Sequence, residues 1–353
     1  MRGLIFLFVM VPTGVAADST TTSSEYALQA PLAQYSLLLD AAAVANRLVV
    51  VGERGHILIS EDDGTSWTQV LVPTQTTLTA VYFLDPSRGW ATGHDAVILR
   101  TDDGGRHWRR MYYAPEKETP LFDIWFRNKL TGLAIGAYGL VLKTSDGGIR
   151  WRSVTITNPP DLPTDTTPRN EAARDPATNT ISQRSDYLEP YDFHLNHIAE
   201  SADGRLYIAG EAGNLLRSDD RGETWFPLPS PYHGSFFGVL PLGNDSLLVF
   251  GLRGHMYRSE DAGNSWSRVN TGTQKALNDG CVFKDGTVVV VGLGGTLLVS
   301  WDDGRTFSLR QLPERTGLSA IVQAAHDAVV VVGEAGVKRL PRSFFSPKPG
   351  EAS

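Results

Sequence analysis

Ser60-Glu61-Asp62-Asp63-Gly64-Thr65-Ser66-Trp67 is the stretch on which the reading of this chain turns. Its pattern, Ser/Thr-x-Asp-x-Gly-x-x-aromatic, returns at 101–108, 144–151, 218–225, 259–266 and, with Phe307 as the aromatic, at 300–307. The starts lie 41, 43, 74, 41 and 41 residues apart, and a period near 40 residues marks an array of supersecondary units. The phrase encodes a turn. The Asp carboxylate accepts hydrogen bonds from backbone amides just downstream. The Gly takes a backbone conformation closed to other residues, and the aromatic re-enters the sheet as a large buried anchor. Asp62, Asp103, Asp146, Asp220, Asp261 and Asp302 are therefore read as structural carboxylates, engaged in turns and not in catalysis.

A second marker aligns the units better. An apolar strand ends in Gly at 52, 93, 136, 210, 251, 292 and 333, with spacings of 41, 43, 74, 41, 41 and 41. Fifteen residues upstream of each Gly stands another apolar residue: Leu37, Leu78, Leu121, Leu195, Phe236, Leu277 and Leu318. That residue opens strand A, the Gly closes strand B, the run after the Gly pair is strand C, and the run from the box aromatic is strand D. Four strands per unit, seven times over, predict an all-β fold, a seven-bladed β-propeller. The seventh unit stops within strand C, while a surplus strand at 26–31 precedes the first strand A. That strand is expected to close the last blade and remove the open edge of the ring.

The rest of the chain bounds the answer. It has 353 residues, 35 Gly and a formal charge of −7, so no net basic footprint points to nucleic acid. Arg2, the apolar run 4–11 and Val15-Ala16-Ala17 read as a signal peptide over 1–17, which implies an exported, periplasmic protein. No later run is long and apolar enough to span a membrane. Residues 18–25 are expected to be flexible, 26–342 to form the propeller, and 343–353 to be a loose tail. The 74-residue step carries 33 extra residues, Pro-rich and without apolar periodicity, so 158–191 is an insert between blades 3 and 4 with a partner-binding or lid role. The one cysteine, Cys281, excludes an intrachain disulfide and reads as a small buried residue.

In a four-stranded blade the A–B and C–D connections share one face, and the B–C and D–A connections share the other. The boxes crowd the first face. The second holds seven short B–C loops around the channel mouth, and the candidate partner-binding residues are Glu53, Arg54, His94, Asp95, Tyr138, Glu211, Arg253 and Glu334. Arg54 and Arg253 suit a carboxylate-bearing partner, and ordinary solvated loop charges remain the other reading of them. His194 and His197 suggest a metal, but a strand turns them to opposite faces, and no metal or other cofactor is expected. No His-Glu-x-x-His, phosphate loop or Gly-x-Ser-x-Gly is present.

The repeated phrase is the Asp box, found in sialidases and other glycoside hydrolases. Sialidases are similar in their boxes but have six blades and an Arg-Ile-Pro motif that is missing here. A glycan-binding or glycoside-hydrolase propeller is the enzymatic alternative, with Glu53, Glu211 and Glu334 on the rim as its carboxylates. The segment from Ala134-Ile135-Gly136-Ala137-Tyr138-Gly139 to Trp151, with the seven Gly-ended strands, more closely resembles the photosystem II assembly/stability factor family. That resemblance implies an exported, non-enzymatic seven-bladed propeller that serves a membrane-protein partner, in non-photosynthetic bacteria an exporter of the resistance-nodulation-division (RND) type. The insert and the acidic balance depart from the photosynthetic pattern, and the signal peptide points to a bacterial envelope role.

Overall fold

The computed structural model describes residues 26–156 and 193–347, except 244 and 327. The expected leader, the stretch 18–25 and the insert 158–191 lie outside the described residues.

Seven antiparallel sheets form a ring, six with four strands and the last with three among the described residues. The innermost strands, A, are Leu38–Val44, Leu78–Phe83, Leu121–Phe126, Leu195–Glu200, Phe236–Pro241, Leu277–Val282 and Leu318–Gln323. Each returns as strand B, which ends on the expected glycine: Arg47–Gly52, Gly89–Gly93, Gly132–Gly136, Leu206–Gly210, Leu247–Gly251, Val288–Gly292 and Val329–Gly333. Blade 1 departs by one residue, because strand A opens at Leu38 and not at Leu37. Its A and B strands are joined through Ala45 and Asn46, with Ala45 left-handed at φ 54°. The corresponding link in blade 2 runs from Phe83 to Gly89. A shorter turn brings the opening residue closer to its glycine.

Strand B explains the ring. Leu48 and Val50 pack against blade 7, whereas Val49 and Val51 pack against blade 2. A pleated strand sends alternate side chains to opposite faces, so a run of valines feeds two cores. Seven apolar clusters result, one per seam between neighbouring blades. Such a strand, buried on both faces, must be apolar throughout.

Every box folds as its residues dictate. In blade 1 the Ser60 hydroxyl donates to Asp62 Oδ1 at 2.8 Å and accepts from the Gly64 amide at 2.8 Å. The Ser66 amide and hydroxyl donate to the same carboxylate at 2.8 and 2.6 Å. Gly64 sits at φ +81°, where an added Cβ would lie 2.6 Å from Val330 of blade 7. The other five boxes repeat the hydroxyl-to-Gly bond and the downstream amide-to-Asp bond. In blades 2 to 5 the residue just before the box reaches across the seam. Arg100 donates to Gly147 O, Lys143 to Glu223, Arg217 to Ala262 O, and Arg258 to Asp303 O. In blade 6 that position is Val299, and the next blade has no box to receive a cation.

The ring closes differently from expectation. Residues 26–30 do not lie beside the outermost strand of blade 7, Gly336–Leu340. They run along strand D of blade 1, with Ala27 N donating to Val72 O and Ala30 N to Gln69 Oε1. The segment then crosses to the seam with blade 7, where Ala33 is buried. The expected loose tail is also corrected over its first residues. Arg342–Phe345 forms a 3-10 turn, and Phe345, 0% exposed, fills the seam between blades 6 and 7. It meets Phe283 edge-on at 5.3 Å, much as the box residue Trp108 meets Phe83 at 6.2 Å. Trp301 and Arg310 of blade 6 donate to the carbonyls of Phe345 and Phe344. A phenylalanine from the chain end thus does at the unboxed seam what a box aromatic does elsewhere.

Phe345→Ala is expected to destabilise the protein by about 3–5 kcal/mol in urea unfolding, whereas Ile149→Ala, exposed on a box, stays within ~0.5 kcal/mol. Equal midpoints for the two variants would refute the structural role of the chain end.

Candidate functional site on the loop face and channel mouth

The B–C loops are six near-identical 3-10 turns and a tighter one in blade 7. Each of the six puts its second residue in the left-handed region: Arg54 at φ 56°, Asp95 at 55°, Tyr138 at 53°, Ala212 at 54°, Arg253 at 58° and Gly294 at 68°. Glycine would meet this demand at no steric cost, yet five blades carry a side chain there. The loops are also fixed from beside. At Gly55 an added Cβ would lie 2.2 Å from Thr74 O, in the D–A link of the same blade.

The predicted residues separate into two groups. Glu53 Oε1 accepts from Leu37 N at 3.3 Å, Glu211 Oε2 from His194 N at 3.4 Å, and Glu334 Oε2 from Gly317 N at 2.7 Å. Each of these carboxylates ties its loop to the start of strand A in its own blade. Asp95 accepts from the Thr76 hydroxyl at 3.0 Å. Arg54, His94, Tyr138 and Arg253 are exposed. Neither Arg54 nor Arg253 has a hydrogen-bond or carboxylate partner among the described residues.

Tyr138 stands edge-on to His194 at 5.1 Å beside a small cleft lined by Ala137–Gly139 and Ile156. The chain leaves the described residues at 156 and returns at 193, where Gly139 N donates to Phe193 O. Tyr138 therefore lies at the root of the insert. Arg253 borders a cleft of about 800 Å³ in blade 5, together with Arg268 and residues 270–274. In it His255 stacks on Tyr232 at 4.1 Å, and burial, followed by the charges of Arg268 and Arg253, holds its pKa down.

Sequence reasoning missed what lies below the loops. The third position of strand A, the innermost strand, holds Asp40, Asp123, His197 and Asp279 in blades 1, 3, 4 and 6. Asp40 Oδ2 accepts from Val81 N at 2.7 Å, Asp123 Oδ2 from Ile198 N at 2.8 Å, and Asp279 Oδ2 from Ile321 N at 2.9 Å. Each bond runs to strand A of the next blade, so these carboxyls join the inner wall of the ring. Burial pushes all three up to about 7, with Asp123 acting on Asp40, and Asp40 on Asp279. His197 Nε2 lies 3.7 Å from Asp123, and burial lowers its pKa. His194 and His197 indeed have separate surroundings, one on the rim and one in the channel. Among the described residues no three His, Cys, Asp or Glu side chains are grouped to hold a metal ion. Cys281, half-buried nearby, has its thiol pushed to about 12 by burial and by Asp279. The available signal was a polar residue two places after the strand A opener, in Leu38-Leu39-Asp40, Leu121-Phe122-Asp123, Leu195-Asn196-His197 and Leu277-Asn278-Asp279.

Residues 59–182, about a third of the chain, match the family model described as the photosynthesis system II assembly factor YCF48. The "Photosystem II assembly protein Ycf48" of Synechococcus sp. (strain JA-3-3Ab) is 39% identical over 93 residues, 26% of this chain and 23% of that protein. The chain thus spans about a quarter of the length of this curated relative. The solved structure "YCF48 bound to D1 peptide" covers 89% of this chain and 94% of its own, with a TM-score of 0.64 and 17% identity. A streptogramin B lyase covers 87% and 93%, with a TM-score of 0.60 and 13% identity. At such identities the solved structures show the propeller fold, which assembly factors and an enzyme share. The resemblance to the photosystem II assembly factor family holds, carried by residues 59–182.

The channel carboxyls set a pH dependence. Their folded values near 7 exceed the ordinary value of 3.8, so the folded ring holds more protons than the unfolded chain between those limits. Their contribution is fully present below the lower value and is lost as pH rises through the upper one. His197, with its pKa lowered, acts in the opposite sense and is coupled to Asp123 and Asp279, so a comparison of variants reads the carboxyls together with that coupling. Asp40→Asn/Asp123→Asn/Asp279→Asn keeps one acceptor oxygen at each site, able to take the amide of the next blade, and removes the titration. Between pH 8 and pH 5 the parent is expected to gain roughly 1–3 kcal/mol more stability than the triple variant, read by urea unfolding at each pH. Parallel pH profiles would contradict the assignment.

Proposed function

We propose that this protein is a non-enzymatic, periplasmic assembly or accessory factor that holds an exposed segment of a membrane-protein partner on its loop face. One observation carries the reading. A rigid ring holds Arg54 and Arg253 outward from left-handed turn positions with no carboxylate partner among the described residues, whereas the six box carboxylates are engaged by their own turns. Desolvated guanidiniums bind carboxylates strongly and with directional preference. A partner segment bearing acidic side chains or a chain terminus fits them. The resemblance to the assembly factors supports a membrane-protein partner, and in a non-photosynthetic envelope an RND-type exporter is the first to test.

The three rim glutamates support this reading over glycoside hydrolysis. Each sits in a different blade and holds a backbone amide at the start of a strand, a structural task. Hydrolysis requires two carboxyl groups placed about one scissile bond.

Affinity capture from envelope extracts is expected to recover a membrane protein with the parent. Recovery should fall at least about tenfold with Arg54→Ala/Arg253→Ala, since truncating one partner of a desolvated charged pair costs about 2–5 kcal/mol. Unchanged recovery by that variant would remove the proposed site. Turnover of fluorogenic glycosides that vanished on Glu53→Gln, Glu211→Gln or Glu334→Gln would replace the reading with the glycan one.

A further inference from the structure

The segment that crosses blade 1 has inverted polarity. Over residues 26–35, Tyr-Ala-Leu-Gln-Ala-Pro-Leu-Ala-Gln-Tyr, the small residues Ala27 and Ala33 are buried, while the large apolar ones face outward. Tyr26 is 47% exposed, Leu28 62%, Leu32 68% and Tyr35 60%, and Leu71, two residues past the outer strand of blade 1, is 57% exposed. Among the described residues these five are the only exposed large apolar side chains of blade 1 and its strap, and they make up five of the thirteen on the described surface. Burial of apolar area drives folding, so an element that turns its alanines inward and its leucines outward is shaped by something besides the fold. Single exposed leucines need no explanation, whereas a contiguous strip does.

The strip is also free of charge. Residues 26–35 and 65–84, which include strand D of blade 1 and the link to blade 2, contain no Asp, Glu, Lys or Arg, in a chain with 20% charged residues. Residues 18–25, Asp-Ser-Thr-Thr-Thr-Ser-Ser-Glu, hold no apolar side chain.

We propose that this strap seats on the surface of a lipid bilayer, with Leu28, Leu32 and Leu71 entering the acyl boundary and Tyr26 and Tyr35 at headgroup level. Tyrosines flanking leucines match the chemistry of that boundary, where amphipathic rings prefer the headgroup layer. The strap abuts the loop face, since an added Cβ on Gly55 would lie 3.3 Å from Ala27 Cβ. Docking there turns Arg54 towards membrane-embedded neighbours. With no basic residue on the strip, the attachment is independent of anionic lipid and of salt, unlike adsorption through a basic patch.

The test contains no protein partner, so its outcome is separate from that of the partner reading. The chain beginning at Asp18 is floated with phosphatidylcholine vesicles, with and without phosphatidylglycerol, at low salt and at about 0.5 M NaCl, where charge contacts are screened. The parent is expected to float under all four conditions, and Leu28→Ser/Leu32→Ser to reduce the floated fraction at least tenfold with its melting temperature unchanged. Leu130→Ser/Ile149→Ser, which alters exposed residues of the box face, serves as the control and should float as the parent does. Failure of the parent to float on bare vesicles overturns the proposal and leaves a protein to cover the strip. Flotation abolished by salt, or equally reduced by both variants, overturns it as well. A dimer in light scattering that Leu28→Ser/Leu32→Ser dissociates would assign the strip to a second copy of the chain.

Discussion

The seam between neighbouring blades is the contact on which this structure depends. No sheet of the ring has a core of its own. Val49 and Val51 belong to one seam and Leu48 and Val50 to the next, so removing any blade exposes the apolar faces of two others. This is why the seam that lacks a box cannot be left thin. The chain end turns back at Arg342–Phe345 and places Phe345 there, supported by hydrogen bonds from Trp301 and Arg310. The inner wall obeys the same constraint, since Asp40, Asp123 and Asp279 each accept an amide from the next strand A, while Asp40 and Asp123 also accept one from their own strand.

The seams assign different work to the two faces. On the box face, hydroxyl, carboxylate and arginine groups are taken up by corners and by cross-blade bonds such as that from Arg258 to the next box. Each box aspartate already receives amides and hydroxyls from its own turn. At Asp62 the Ser66 hydroxyl first, then the Ser66 amide, hold the pKa down to about 2. On the loop face the turns are equally rigid, but their second residues point away from the ring. A fixed backbone with projecting side chains limits the entropy lost when a ligand is bound. The proposed binding role of the loop face rests on that difference, as the role of the boxes in the frame rests on their filled carboxylates.

Legibility in the sequence followed the range of the interactions. The boxes, the glycines that end strand B and the seven-fold count could be read because each is written within a dozen residues and then repeated. The loop residues could be named because they follow those glycines, and Glu53 and Arg54 were found by position alone. Position did not disclose that Glu53 would turn back to Leu37 N while Arg54 kept no partner among the described residues, since the two differ only in what surrounds them after folding. The channel residues escaped notice because Asp40, Asp123 and Asp279 are single polar letters in apolar strands, separated by 83 and 156 residues. They form a group only when the ring brings every strand A to one axis.

By itself the sequence determined the repeating unit, its number and the corner chemistry, because hydrogen bonds between residues two to four positions apart and the two-residue pleat are local properties of a chain. Only the tertiary structure decided how the ring closes. Residues 26–30 pair with blade 1 and not with blade 7, and Phe345 of the chain end fills the seam between blades 6 and 7. Both choices weigh apolar area against surfaces contributed by residues far away along the chain, and no local pattern records that balance.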